Sequence, residues 1–251
     1  MIVQPSVILS AFEMHYKRYG SGTKAWDIQY HVDCWQLAEQ AFGGNAFDKF
    51  NKLYEELRRR WQVFRGASGP PWSADETFCR LNALPGPLRT LSLSQCSMDD
   101  ASRLWRILEA VADIKKHKDG QPSTVAVSKF LDFWNNRLFV IVDHGVIWQK
   151  VFGHWWLWDE VEAVRAKVEA VLPGKRHNIS DAGCDSLTYL AILLWAGEFL
   201  RTNPQIIPAF VEYVARHADS LELPLAQYEA AAVEWFLLGL VELAPQGVCL
   251  G

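Results

Sequence analysis

Apolar residues at helical spacing constrain this chain more than any other feature. They recur in steps of three and four between residues 47 and 64, which places them on one face of an amphipathic helix. These residues are Phe47, Phe50, Leu53, Leu57, Trp61 and Phe64. Asn45 stands at the expected cap of this helix, and glycine or proline stops bracket most comparable runs. The sequence therefore predicts a compact all-α fold of about eleven helices with no substantial sheet.

The length and composition are typical of one large helical domain. The chain has 251 residues, of which 50% are hydrophobic and 22% are charged, as in globular proteins. A stretch rich in glycine and proline at 66–72 and a basic loop at 117–122 could separate two lobes, residues 1–117 and 123–251. Because apolar residues are plentiful on both sides, we expect a single domain over residues 1–251.

Net charge limits the binding functions that are open to the chain. The formal charge of −4 excludes a broadly basic, histone-like binder but leaves room for a local basic patch. The candidate nucleic-acid contacts are Lys115, Lys116 and Lys118, which stand together where helical periodicity ends. The sequence does not identify the partner, so a nucleic acid and another protein both stay open.

Cysteine usage and hydropathy indicate a reduced, cytoplasmic environment. The five cysteines are odd in number and none stands in a Cys-x-x-Cys pair, which favours free thiols. No Cys or His spacing resembles a zinc site and no nucleotide-binding fingerprint occurs, so we expect no metal and no cofactor. The most apolar stretch, residues 187–200, contains Glu198 and is shorter than the ~20 residues of a membrane span. It predicts a buried core helix and no membrane partner.

Residues 123–152 offer the strongest candidate for chemistry. Ser123 can cap a helix that carries Lys129, and an apolar run at 138–142 then leads to Asp143. If the chain is extended from Arg137 to Val142 it covers about 20 Å, enough to bring Asp143 back past Lys129. A paired amine and carboxylate can support nucleophilic or general acid–base catalysis. The alternative, which we favour, is structural: Asp143 caps the next helix and pairs with a partly exposed Lys129.

The same segment resembles a motif of uncharacterised bacterial all-helical proteins. The shared string is S-K-x-L-x-F-W-N-x-x-L-F-x-I-x-D, which spans residues 128–143 here. In that group a proline follows the asparagine, where this chain has Asn136, and a histidine often stands where it has Asp132. The group has no established activity, so this resemblance implies a helical fold and no function.

The segment is also distantly similar to the helix-hairpin-helix DNA glycosylases. That similarity implies that Lys129 is an imine-forming nucleophile, that Asp143 stabilises the sugar cation, and that the substrate base is flipped out of the duplex. The chain departs from the family in three respects. No glycine-rich hairpin directly precedes Lys129, the spacing to Asp143 is shorter than in the family, and the net charge of −4 is acidic.

Tryptophan is frequent, with twelve in the chain. Aromatic side chains near the candidate site can stack on a ligand, and the candidate ligand-binding residues are Trp134, His144, Trp148 and Trp155. The alternative is a core stripe, because Trp148 and Phe152 are four residues apart and share one helix face. We favour the core role for most of these aromatics.

A second basic stretch, residues 58–60, stands directly before Trp61. Arginines beside an aromatic ring can bind a phosphate backbone. The alternative is a solvated helix face on which these arginines pair with Glu55 and Glu56, and we favour this alternative.

Three functions follow, and each predicts a different site. The leading hypothesis is a ligand- or partner-binding module, in which Lys129 is salt-bridged and closed off. The second is a glycosylase-like enzyme, in which Lys129 and Asp143 lie at the mouth of a positively lined cleft. The third is a structural interaction protein, which predicts an exposed aromatic patch without a cleft. Whether the protein is an enzyme is left open by the sequence.

Overall fold

A computed structural model of the chain describes residues 1–20, 27–65, 71–116, 122–152, 155–172, 184–219 and 223–243, with the backbone alone for 144–146, 155 and 156. Ten α-helices lie in these ranges. They are α1 (Pro5–His15), α2 (Ile28–Gly43), α3 (Phe47–Arg59), α4 (Ala74–Asn82), α5 (Ala101–Val111), α6 (Thr124–Trp134), α7 (Trp155–Val171), α8 (Ser186–Thr202), α9 (Ile206–His217) and α10 (Glu229–Leu243). The segments Tyr16–Gly20 and His144–Phe152 are π-helical. The described ranges contain no sheet, and Lys116 and Pro122 form an isolated bridge, so the all-α prediction is confirmed.

Side-chain caps fix several helix starts. The Ser123 hydroxyl accepts the Ala126 N–H at 3.2 Å, so α6 begins where the sequence predicts. The prediction for α3 is wrong at both ends. Asn45 adopts a left-handed φ of 50° and turns the chain, while Ala46 holds the cap position without a side-chain bond. The helix ends at Arg59, so Trp61 lies beyond it.

One hydrophobic core runs through the described ranges and includes residues of both halves of the chain. The first and last helices pack closely against each other. A Cβ atom at Gly239 of α10 would lie 1.8 Å from the carbonyl oxygen of Ala11 in α1, so only glycine fits at this crossing. Contacts between the first and last helices tie together the two lobes that the linkers could have separated.

The apolar helix α8 lies inside this core, as its sequence predicts. The residues expected to be buried there are all buried: Leu187, Leu190, Ile192, Leu194, Trp195 and Phe199. None of the helices in the described ranges combines the length and the apolar character that a membrane span needs.

Helix α6 and the segment after it position the candidate site. Residues 138–142 are buried and non-helical, as the sequence predicts, and they form no sheet. Side chains satisfy their backbone instead. Ser128 accepts the Val142 N–H at 3.0 Å, Glu234 accepts the Ile141 N–H at 3.2 Å, and Tyr189 donates to the Val140 carbonyl at 2.9 Å. Because buried backbone groups need partners, these polar side chains hold the segment beside α6.

Candidate functional site: two charged regions on α6

Lys129 and Asp143 meet, as the sequence predicts. The Lys129 ammonium donates to the Asp143 carboxylate, with 3.0 Å between Nζ and Oδ2. Asp143 directly precedes the π-helical segment, and its carbonyl oxygen accepts the Trp148 N–H at 2.8 Å. The buried segment at 138–142 therefore delivers the carboxylate to the helix that carries the amine.

Lys129 is much more enclosed than the sequence suggests. Its side chain is 5% exposed, whereas that of Asp143 is 27% exposed. The ammonium also lies 5.3 Å from the centre of the Trp61 ring, within the range of a cation–π contact. The expectation of a partly exposed lysine is wrong, because α6 is buried on every side and not on one stripe.

Two further carboxyl groups lie buried in the same region. Burial raises the pKa of Asp132 well above its usual range, and the Trp35 side chain opposes this by a smaller amount. Burial also raises the pKa of Glu234, and the neighbouring Asp132 adds to the effect, while the Ile141 N–H and Lys129 oppose it. One oxygen of each carboxyl, Asp132 Oδ2 and Glu234 Oε1, has no hydrogen-bond partner among the described residues.

We call Lys129, Asp132, Asp143 and Glu234 the lysine cluster. It holds three carboxyl groups and one amine, so Lys129 can neutralise only one of them. The physical response to an excess of buried acid is proton uptake, which the raised pKa values of Asp132 and Glu234 express. Within the described ranges, no group of three His, Cys, Asp or Glu residues is arranged to hold a metal ion.

A separate cavity of about 250 Å³ lies at the C-terminal end of α6. We call it the arginine cavity. Its lining residues come from α2, from the loop after α4 and from the end of α6: Ala38, Glu39, Arg89, Thr90, Phe133, Trp134, Asn135, Asn136 and Arg137. Thr90 is exposed, and Glu39, Arg89 and Arg137 are half-buried, so the cavity opens to solvent.

The charges of the arginine cavity interact with one another. Burial lowers the pKa of the Arg89 guanidinium; the carboxylate of Glu39 opposes that shift, and the charge of Arg137 adds to it. Arg89 is also held in place, because it donates to the Phe42 carbonyl and stacks 5.6 Å from that ring. Two cationic groups therefore converge on one cavity with a single carboxylate beside them.

The other candidate residues do not form one site. Trp134 lines the arginine cavity, whereas Trp148 is half-buried and packs edge-on against Trp158 at 5.5 Å between ring centres. The side chains of His144 and Trp155 lie outside the described part of the structure. The aromatic candidates thus contribute one residue to the cavity.

The lysine-rich stretch does not present three free cations. Lys115 is buried, a position that does not suit contact with a nucleic acid. Lys116 is exposed but pairs with Asp113, with 3.1 Å between Nζ and Oδ1. Lys118 lies outside the described residues.

The basic end of α3 lies beside the lysine cluster. Arg58 and Arg59 both pair with Glu55, at 2.7 and 3.2 Å, as the favoured structural alternative predicts. Arg60 stacks over the Tyr30 ring, with 3.8 Å between its Cζ and the ring centre. Trp61, the next residue, is the one that covers Lys129. The chain therefore brings two separately predicted motifs into contact.

Sequence reasoning missed most of the arginine cavity. Glu39, Arg89 and Arg137 stand on three distant segments and carry no common motif. The only local sign is that Arg137 follows the helix-ending pair at 135–136, where a side chain leaves the packed face of α6.

Comparisons of the chain with protein-family models, with curated proteins and with solved structures give no match. The resemblances at residues 128–143 therefore stay predictions, and function is inferred from the geometry of the two charged regions.

Proposed function

We propose that the protein is a ligand-binding module whose site is the arginine cavity, and that the Lys129–Asp143 pair is structural. The observation that carries this proposal is the contrast in access. Lys129 is paired and closed off, as expected for a binding module, while the arginine cavity opens to solvent. Small-molecule sites combine an apolar wall with a few convergent polar groups, and this cavity has both.

The environment of Lys129 supports a structural role. An amine acts as a nucleophile only in its neutral form, and this one donates to a carboxylate under an indole ring. A glycosylase-like site would place Lys129 and Asp143 at the mouth of a positively lined cleft. The arginine cavity is positively lined, but neither residue is among its lining residues. Among the side chains that the structure describes, Phe47 is the one aromatic that is largely exposed, so those side chains form no exposed aromatic patch.

A fragment screen tests the ligand-binding proposal. Small molecules are screened against the folded protein by NMR, and binders are retested on Thr90→Trp, which places a bulky side chain at the exposed edge of the cavity. Thr202→Trp is the matched control. Both threonines are exposed, and each donates its hydroxyl to a backbone carbonyl of its own segment.

We expect binders that Thr90→Trp weakens and Thr202→Trp leaves unchanged. A screen without binders, or binders that ignore both substitutions, would contradict the proposal.

A second candidate is a glycosylase-like activity on damaged DNA. It is favoured by the 3.0 Å approach of Lys129 to Asp143 and by the basic stretch at residues 58–60, which is followed by Trp61, the residue that covers the lysine. In this function Asp143 would take the proton of Lys129, and the neutral amine would attack the sugar carbon of a flipped nucleotide. The bond from that carbon to the base would break with its electron pair going to the base, which would leave with the proton held by Asp143.

Borohydride trapping tests this second candidate. An imine between Lys129 and abasic DNA is reduced to a stable adduct, which Lys129→Gln removes and Lys150→Gln, at an exposed lysine, does not. No adduct across a panel of lesions, together with no release of a base, would exclude the activity.

A further inference from the structure

We infer that the ligand of the arginine cavity is a small organic anion, a carboxylate or phosphate joined to a compact apolar group. The inference rests on the proposed function, since it names the chemistry of the ligand for the same cavity.

The lining of the arginine cavity has a net positive charge, which favours an anionic ligand. Arg89 and Arg137 supply two positive charges and Glu39 one negative charge, so the lining is net positive within a protein of net charge −4. The two guanidinium groups are close enough for each to feel the other's charge. An anion between them would relieve that repulsion, whereas a neutral ligand would not.

The two arginines of the cavity differ in how many of their guanidinium donors are already used within the protein. Arg89 donates one hydrogen bond to the Phe42 carbonyl. The Arg137 side chain has no hydrogen bond or ion pair among the described residues. Only its backbone is bonded: the N–H donates to Asn135 and the carbonyl accepts the Leu93 N–H. Guanidinium groups present planar pairs of donors that match carboxylate and phosphate oxygens. The donors of Arg137 therefore stay available for an anion.

The remaining lining sets the size and shape of the ligand. A volume of about 250 Å³ is below the ~300 Å³ at which drug-sized pockets begin, so the ligand is small. Ala38, Phe133 and Trp134 give one apolar wall for a ring or a short aliphatic chain. The carboxylate of Glu39 would accept from a hydroxyl or amino group on the same ligand.

The charge of the ligand is tested with two compounds of the same shape. Benzoate and benzamide differ in charge and little else, and inorganic phosphate is added as an anion without an apolar part. Binding is measured by titration calorimetry and by the shift of the Trp134 indole N–H, which is assigned with Trp134→Phe. Arg137→Gln removes the available guanidinium, and Arg106→Gln is the control at an exposed arginine outside the cavity.

We expect benzoate to bind at least tenfold more tightly than benzamide. We also expect Arg137→Gln to weaken benzoate about tenfold or more, and Arg106→Gln to have no effect. Equal binding of benzoate and benzamide, or benzoate binding that Arg137→Gln leaves unchanged, would overturn the anion inference and leave the ligand-binding proposal standing. If neutral fragments bind at Trp134 and no anion binds, the anion inference is likewise overturned and the ligand-binding proposal stands. If no compound shifts Trp134, both proposals fall.

Discussion

Helix α6 carries charge into two regions that differ in their access to water. In the lysine cluster, one amine and three carboxyl groups are packed among apolar side chains, and two of the carboxyl pKa values rise in response. In the arginine cavity, two guanidinium groups and one carboxylate reach solvent, so water can solvate their charges, and Arg89 also donates to the Phe42 carbonyl. A buried carboxylate must pair with a cation or take up a proton, whereas water stabilises an exposed charge until a ligand binds.

Removing the amine of the lysine cluster should have the largest effect on stability. We expect Lys129→Ala to lower the free energy of unfolding by about 3–5 kcal/mol, because it removes the buried ammonium that pairs with Asp143 beside two other acids. Lys150→Ala breaks the exposed pair with Glu242 and should cost less than about 1 kcal/mol. Chemical denaturation measures both. Equal, small losses would show that Lys129 is more open to water than its burial indicates.

Neutralising a buried acid should have the opposite sign. A raised pKa in the folded state means that folding takes up a proton, so stability is greatest below the pKa of the unfolded carboxyl, about 4, and falls as pH rises. The slope is about 1.4 kcal/mol per pH unit for each such group. Asp132→Asn removes the contribution of Asp132 to this dependence, and we expect it to stabilise the protein at pH 7.

Denaturation curves at pH 5, 6 and 7 measure the change. Glu234→Gln should act in the same direction, since the amide oxygen can still accept the Ile141 N–H. Asp113→Asn, at an exposed acid paired with Lys116, is the control and should leave the pH profile unchanged. A parallel profile for Asp132→Asn and the wild type would show that Asp132 is charged in the folded state.

Substituting the more exposed partner should cost less than substituting the lysine. Asp143→Asn keeps the shape of the side chain and a neutral acceptor for Lys129, so we expect a loss of about 1–2 kcal/mol. Asp143→Ala removes the acceptor as well and should cost about 1 kcal/mol more, which includes any cap at the helix start. The difference between the two variants, from denaturation at pH 7, separates the charge from the hydrogen bond. Two variants of equal stability would show that the acceptor adds nothing to the charge.

The two regions also differ in how far the sequence predicts them. Lys129 and Asp143 belong to one continuous segment, so helix rise and strand rise suffice to bring them together. Their burial was not predictable from that segment, because it depends on Trp61, which follows α3, and on Glu234, which belongs to α10. Periodicity indicates which helices form but does not indicate which of them cross.

The arginine cavity could not be predicted from the sequence either, because it also depends on how distant segments pack. Its charged residues come from α2, from the loop after α4 and from the turn after α6, and no spacing links them. The cavity exists because Asn135 ends α6 and donates to the Leu88 and Leu91 carbonyls, at 2.8 and 3.0 Å. Those two bonds draw the loop with Arg89 against the helix end. A single asparagine thus brings two distant cations together, a result that appears only in three dimensions.

The smallest effect should come from the arginine cavity itself. Because the Arg137 side chain makes no hydrogen bond or ion pair among the described residues and repels Arg89, Arg137→Gln should change stability by less than about 0.5 kcal/mol, in the stabilising direction. The gain should vanish near 1 M salt, where the screening length falls to about 3 Å. Arg106→Gln should show no gain at either salt concentration. A large loss of stability for Arg137→Gln would mean that the side chain of Arg137 already has a stabilising partner in the folded protein. The two regions of α6 would then differ only in how deeply their charges are buried.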